Sequence, residues 1–208
     1  MKEVLVLSYS QSGQIHNILR SIIHPLLSAP DVNVEWKIIK PIPAYPFPWP
    51  FFSFIDIFPE TVTGQICTLE EISFDKKSYD LIIIGYQVWY LSVSIPVYSF
   101  MKSHMANVLQ NTPVITVIGC RDMWYSAHNQ MQKLIHECNA YCIGNIALVD
   151  QGFKLATFIT TPRWLIHGKK KGIKGLLPDA GVGKCDIQKA VKYGYTIYYH
   201  LKKESDFN

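Results

Sequence analysis

The sequence lacks an unbroken apolar run long enough to cross a bilayer. Its best window, Leu81–Met101, is interrupted by Gly85, Gln87, Ser92, Ser94, Pro96 and Ser99. The first half of that window reads as a buried strand instead of a membrane span. Charge is sparse as well: 17% of residues are charged and the net charge is +4. So mild an excess argues against a strongly acidic surface, and no nucleic-acid-binding module is present. The five cysteines, Cys67, Cys120, Cys138, Cys142 and Cys185, are odd in number and scattered. Cys138-x-x-x-Cys142 has no second pair to complete a zinc site, so no metal site is expected. No signal peptide is recognisable, because Lys2-Glu3 leads straight into a strand. Free thiols in a reducing cytoplasm are therefore the expectation. Three motifs are also missing. Without Gly-Lys-Ser/Thr there is no Walker A loop, without Gly-x-Gly-x-x-Gly no dinucleotide fingerprint, and without Gly-x-Ser-x-Gly no hydrolase elbow.

What is present is 208 residues, 49% of them hydrophobic, which suits one α/β domain over the whole chain, 1–208. Val4–Leu7, Val34–Ile39, Leu81–Gly85, Val114–Ile118 and Ile143–Val149 read as strands. Helical patterns follow the first, third and fourth. Ile15, Ile18, Leu19, Ile22, Ile23 and Leu26 lie at i, i+3, i+4, i+7 spacing in a helix ending near Pro30-Asp31. Ser94-Ile95-Pro96 starts another, with Val97, Met101, Met105 and Val108 on one side. Ser126 caps a third, and Asp186 starts the last, with Ala190, Ile197 and Leu201 on its buried stripe. Alternation of this kind predicts a doubly wound parallel sheet with helices on both faces.

Two stretches interrupt the alternation. Residues 41–59 form a crossover whose first half, Pro41–Pro50, holds five prolines at alternating or near-alternating positions. That forbids a helix there and predicts an extended path, with a short helix over Phe51–Phe58. It reads as a hydrophobic cover that can lend aromatic walls to a pocket, or as a Pro-rich ligand for a partner domain. Residues 150–185 form a basic insert in which Trp164 and Leu165 abut Lys169, Lys170, Lys171 and Lys174. The expectation is a solvated loop. Segment 163–174 alternatively suits a membrane-surface contact, an acidic carrier protein or the 2′-phosphate of NADPH.

The stretch that organises the chain is Glu3–Gln14. An apolar strand breaks into Ser8-Tyr9-Ser10-Gln11-Ser12-Gly13-Gln14, and a helix follows at Ile15; an ordinary helix start capped by Ser12 is one reading of this turn, and an anion pocket the other. A helix N-terminus preceded by hydroxyls and a Gly makes an anion pocket, most often for phosphate. His16, one turn in, adds charge there or simply faces solvent. The Ser-x-Ser-Gly-Gln form resembles the phosphate loop of flavodoxins and flavodoxin-like flavin reductases. The third strand is followed by Gly85-Tyr86-Gln87-Val88-Trp89-Tyr90-Leu91-Ser92-Val93-Ser94-Ile95-Pro96. This looks like the flavin loop of the flavodoxin-like NAD(P)H-dependent FMN reductases, Gly-Ser-Pro-x-Tyr-Trp-x-x-x-x-Pro, with Gln87 in place of that Pro and Trp89-Tyr90 in place of Tyr-Trp.

The resemblance implies a five-stranded, flavodoxin-like sheet in the order 2-1-3-4-5 and an FMN at its switch point. It implies phosphate binding by Ser10, Gln11, Ser12, Gly13, Gln14 and Ile15, ring stacking by Gln87, Val88, Trp89 and Tyr90, and tuning by Cys120, Arg121, Asp122 and Trp124. Arg121 would favour negative charge on the ring and hence two-electron chemistry, or would pair with its neighbour Asp122. NAD(P)H would be the electron donor, and a quinone, another flavin or an aromatic small molecule the acceptor. A homodimer is also implied. The chain further resembles, through Tyr-Pro-Phe-Pro-Trp-Pro and Thr161-Pro162-Arg163-Trp164, a bacterial flavodoxin-like group described as dialkylresorcinol condensing enzymes. That reading would need a thiolate at Cys120, with Arg121 beside it and His128 as a base. A non-catalytic electron carrier or accessory subunit is the remaining alternative.

Overall fold

The computed structural model describes residues 1–173 and 176–205. In chain order the elements are β1 (Lys2–Ser8), α1 (Gln14–Leu27), β2 (Val32–Ile38), β3 (Pro41–Ile42), α2 (Phe51–Thr63) and β4 (Thr68–Leu69). Then come β5 (Leu81–Trp89), β6 (Ser92–Val93), α3 (Ile95–Met101), a 3-10 turn (His104–Leu109), β7 (Pro113–Cys120) and α4 (Tyr125–Glu137). The chain closes with β8 (Tyr141–Val149), α5 (Lys154–His167), α6 (Lys184–Lys189) and α7 (Val191–Ser205).

The long strands run parallel in the order β2-β1-β5-β7-β8, which is the expected 2-1-3-4-5. β1 is buried on both faces: Val4 and Val6 enter one core, Leu5 and Leu7 the other. Two-sided burial is what a central parallel strand requires. The first core is closed by α1 and α7, the second by α3, the 3-10 turn and α4. Because α1 leaves β1 on one face and α3 leaves β5 on the other, a crevice opens at the carboxyl ends of these adjacent strands.

Several local expectations are corrected. Ser12 does not cap α1. Gly13, at φ 78°, is the N-cap, and the Ser10 hydroxyl accepts the Ile15 N–H at 3.1 Å. α1 ends at Leu27, before Pro30, and Met105 and Val108 belong to the 3-10 turn instead of α3. Neither Ser94 nor Ser126 makes a side-chain cap: Ser94 is the N-cap of α3 by position only, and α4 already starts at Tyr125. The last helix is two, α6 and α7, divided at Ala190. The insert is not a plain loop, since α5 occupies much of it. The crossover's helix runs on to Thr63, where Gly64 takes the left-handed conformation that ends it. The interrupted window Leu81–Met101 is β5, a hairpin and α3, and among the described residues no helix is long and apolar enough to cross a membrane.

α7 lies against α1 with almost no gap. A Cβ at Gly194 would stand 1.9 Å from the carbonyl oxygen of Ile22 and 2.8 Å from Pro25. The obstacle is backbone, which cannot rotate away as a side chain can. Gly194→Ala should therefore lower stability by about 1–3 kcal/mol through overpacking. Thermal unfolding followed by circular dichroism should show a drop of about 2–4 °C for each kcal/mol.

Candidate functional site

α1 is seated on the sheet through two glycines. A Cβ at Gly85 would meet Leu19 at 2.6 Å and Ile15 at 2.8 Å, and one at Gly119 would meet Ile15 at 2.9 Å. This close seating holds the α1 N-terminus over the carboxyl ends of β5 and β7. There a cavity of about 500 Å³ opens, within the range that suits small organic ligands.

Three loops build it, as the sequence implies, but not with all the same residues. Gln11, Ser12, Gln14, Gln87, Val88, Trp89, Tyr90, Cys120, Arg121 and Asp122 line the cavity. Ser10, Gly13, Ile15 and Trp124 do not. Ser10 spends its hydroxyl on Ile15, Gly13 supplies only backbone, and the Ile15 side chain is core. Trp124 packs edge-on to His128 while its neighbour Met123 reaches the cavity.

The phosphate-loop backbone is poised for an anion. Among the described residues no acceptor takes the N–H groups of Ser12, Gly13 or Gln14. The Gln14 Nε2 is buried without a partner. A buried amide donor left alone costs about 1–3 kcal/mol, so a ligand that accepts from it gains accordingly. Gln11 differs: its N–H already donates to Gln87 Oε1 at 2.9 Å, and its own amide donates to the Pro46 carbonyl at 2.7 Å. Gln87, the residue that departs from the flavin-reductase pattern, thus ties β5 to the loop. His16 is half-buried edge-on to Trp36, and burial, with Arg20 nearby, lowers its pKa. Both effects disfavour the added positive charge expected of it.

The stretch expected as a flavin loop is mostly strand. β5 continues to Trp89, and Tyr90 and Leu91, both at positive φ, make a two-residue hairpin to β6. Trp89 is wedged edge-on among Tyr9, Tyr45 and Trp49, at centroid distances of 5.9, 5.2 and 5.6 Å. Those contacts fix its rotamer while it lines the cavity. Tyr90 is held by its hydroxyl, which donates to the Phe54 carbonyl.

The remaining wall comes from residues that motif reading missed. Trp49, Phe54, Ile57 and Phe58 enter from the crossover, whose alternating prolines and aromatics were the available signal. Thr157, Phe158 and Trp164 enter from α5, and Asp150 and Gly181 flank that helix. Asp150 is buried and accepts from Gly152 N at 2.9 Å, Gly181 N at 2.7 Å and Thr161 Oγ1 at 3.3 Å. It clamps both ends of the insert to the tip of β8. Trp164 is also buried, between Phe47 and the Lys170 ammonium, instead of standing at an outer interface. Lys174 lies outside the described residues. The Arg121 guanidinium sits 3.8 Å from the centroid of Phe158 and donates to Thr157 Oγ1 at 3.5 Å. Its charge is therefore turned to the cavity's α5 wall.

Cys120 is not poised as a nucleophile. Burial, reinforced by Asp122 and Asp150, pushes its thiol up to about 12. Ionisation of the thiol at neutral pH is strongly disfavoured. His128, whose pKa burial lowers, packs on Trp124 rather than on the sulfur. The burial of the thiol and the placement of His128 do not favour the thiolate reading of the site.

The chain matches solved structures across this architecture. A flavoprotein in complex with FMN from Lactobacillus acidophilus aligns at a TM-score of 0.53 and 21% identity, covering 71% of this chain and 93% of that one. A flavodoxin from the domain Archaea aligns at 0.51 and 13%, covering 96% and 99%. A flavodoxin, WrbA-like protein from Agrobacterium tumefaciens aligns at 0.51 and 10%, covering 98% and 99%. The fold is flavodoxin-like. No protein-family model matches the chain, and no curated protein does. At such identities the likeness to the flavodoxin-like proteins is one of fold, and the chemistry has to be argued from the site.

The buried thiol yields a direct check. Cys120 should resist iodoacetamide at pH 8 while exposed Cys185 is alkylated, and peptide mass spectrometry resolves the two. Rapid alkylation of Cys120 in the folded protein would contradict its placement.

Proposed function

We propose that this protein binds FMN in the cavity and works as an oxidoreductase, taking electrons from NAD(P)H and passing them to a flat, apolar acceptor. One observation carries the reading. An anion-seeking helix N-terminus with an unpartnered buried amide, Gln14 Nε2, shares one cavity with a rigid aromatic wall at the switch point of a flavodoxin-like sheet.

The residues fit the group. The N–H groups of Ser12, Gly13 and Gln14, the Ser12 hydroxyl and Gln14 Nε2 would hold its phosphate without a cationic side chain, since the α1 dipole already favours negative charge there. Trp89 and Tyr90 would flank its ring, and their rotamers are fixed by the packing described above. FMN supplies the hydride chemistry when bound. The protein's share is orientation, exclusion of water by Trp49, Phe54, Phe58 and Trp164, and the field of Arg121. A guanidinium facing this half-buried space favours negative charge in it, which supports two-electron over one-electron transfer. Phe54, Ile57, Phe58 and Phe158 leave the far end of the cavity apolar, which suits a quinone or an aromatic acceptor better than a charged one.

The experiment is a visible absorption spectrum of the purified protein, before and after incubation with FMN and desalting, followed by NAD(P)H oxidation. A retained flavin spectrum and flavin-dependent turnover are expected. Ser12→Glu sets a carboxylate against the phosphate and should abolish retention. Gln87→Ala removes one hydrogen bond to the loop and should weaken FMN by about 2- to 10-fold in a fluorescence titration. Absence of flavin under both conditions sinks the proposal, and retained flavin without NAD(P)H oxidation would leave an electron carrier.

A further inference from the structure

Two helices turn their apolar sides outward. On α2, Phe51, Ile55, Phe58 and Val62 form one stripe at helical spacing, with Phe52 beside it, and all five are exposed, Phe52 at 79%. Meanwhile Thr61 of the same helix is buried. At 3.6 residues per turn, Glu60 falls on the far side of α2 from that stripe, and Asp56 stands at its margin, one turn on from Phe52. On α5, Leu155, Phe158 and Ile159 are exposed, Leu155 at 76%, while the polar Thr157 and Thr160 are buried. That is the reverse of the pattern by which a surface helix faces water. Phe58 and Phe158 also line the cavity, so both stripes run to its mouth.

Charge says what covers them. From Gln151 to Pro178 the sequence contains no Asp or Glu, yet it holds Lys154, Arg163, Lys169, Lys170, Lys171 and Lys174. His167, Lys169, Lys170 and Lys171 are exposed at the end of α5. Two copies of this chain apposed through α5 would bring these cations together. An outward apolar stripe continued by a lysine cluster is complementary to anionic head groups over acyl chains.

We infer that α2, α5 and the lysine cluster dock the protein on an anionic lipid surface, with the mouth of the cavity at that surface. Docking needs no flavin. Resting on the proposed function, it means that the acceptor is one that partitions into lipid and enters from the bilayer side.

The test is co-sedimentation with vesicles of phosphatidylcholine alone or mixed with phosphatidylglycerol, using protein with and without added FMN. Binding to the mixed vesicles only is expected, in both forms and weakened by salt. Each of Lys169→Gln and Lys171→Gln should weaken it by about fivefold. Phe52→Ser with Leu155→Ser should abolish it with the circular dichroism unchanged, because neither residue lines the cavity. The inference is overturned by no binding to mixed vesicles, or by binding that both sets of substitutions leave intact. It is equally overturned by a dimer in light scattering that Phe52→Ser with Leu155→Ser dissociates, which would assign the face to a second copy. Because sedimentation is read without flavin, its failure is separate from failure of the FMN spectrum.

Discussion

At two strand positions α1 lies so close to the sheet that no side chain fits beneath it. Gly85 and Gly119 are the positions where Ile15, Ile18 and Leu19 touch strand backbone, and the rest of the site follows from that seating. It fixes the height of the helix N-terminus above the carboxyl edge. It leaves the N–H groups of Ser12, Gly13 and Gln14 turned to the crevice, since the turn before them is stitched elsewhere: Tyr9 N to the Gly85 carbonyl, Gln11 N to Gln87, Ile15 N to Ser10. Gly194 then lets α7 clasp α1 from outside. A helix held on both sides by backbone contact is a rigid mount, and a pre-organised anion site needs one.

How much of this was legible in the sequence can be judged residue by residue. The strand order was, because buried parallel strands and amphipathic helices announce themselves by period. The three loops were too, because a hydroxyl-rich turn before a helix has a mechanism of its own. The end of β5 was not. Gln87, Val88 and Trp89 carry no period-2 alternation that distinguishes a strand from a loop; Gln87 pairs with Gly119 of β7, and Val88 and Trp89 pair only with β6, a strand of two residues. α5 was hidden for a different reason. Thr157, Thr160 and Thr161 are poor helix formers, Pro162 sits inside the helix, and its apolar stripe faces outward. Asp150 gave no signal because its role is local: its partners are Gly152, Thr161 and Gly181, two backbone amides and a hydroxyl that only the folded insert brings together.

The crossover and the insert act as one cover. Trp49 N donates to the Leu165 carbonyl at 2.7 Å, Phe47 meets Trp164 edge-on, and the Gln11 amide reaches Pro46. The aromatic residues of the Pro-rich segment are therefore packed inward, while Pro43, Pro46, Pro48 and Pro50 stay exposed. These contacts make the cavity deeper than the crevice of the bare sheet, and they make it aromatic. What they leave over is apolar surface on the outer sides of α2 and α5, the elements that do the covering.

Burial also decides which chemistry the cavity can host. It pushes the Cys120 thiol far above neutrality and disfavours the charged form of His128 and His16. Asp150 is occupied by three donors. Neither Cys120 nor Asp150, so placed, is set up for nucleophilic or acid–base catalysis. The same low-polarity walls, with a helix N-terminus at one end and a guanidinium at the side, suit a planar group that brings its own reactivity and needs only to be held, screened from water and biased in charge. Under the proposed function, side chains engaged in this way leave the chemistry to the group the cavity holds.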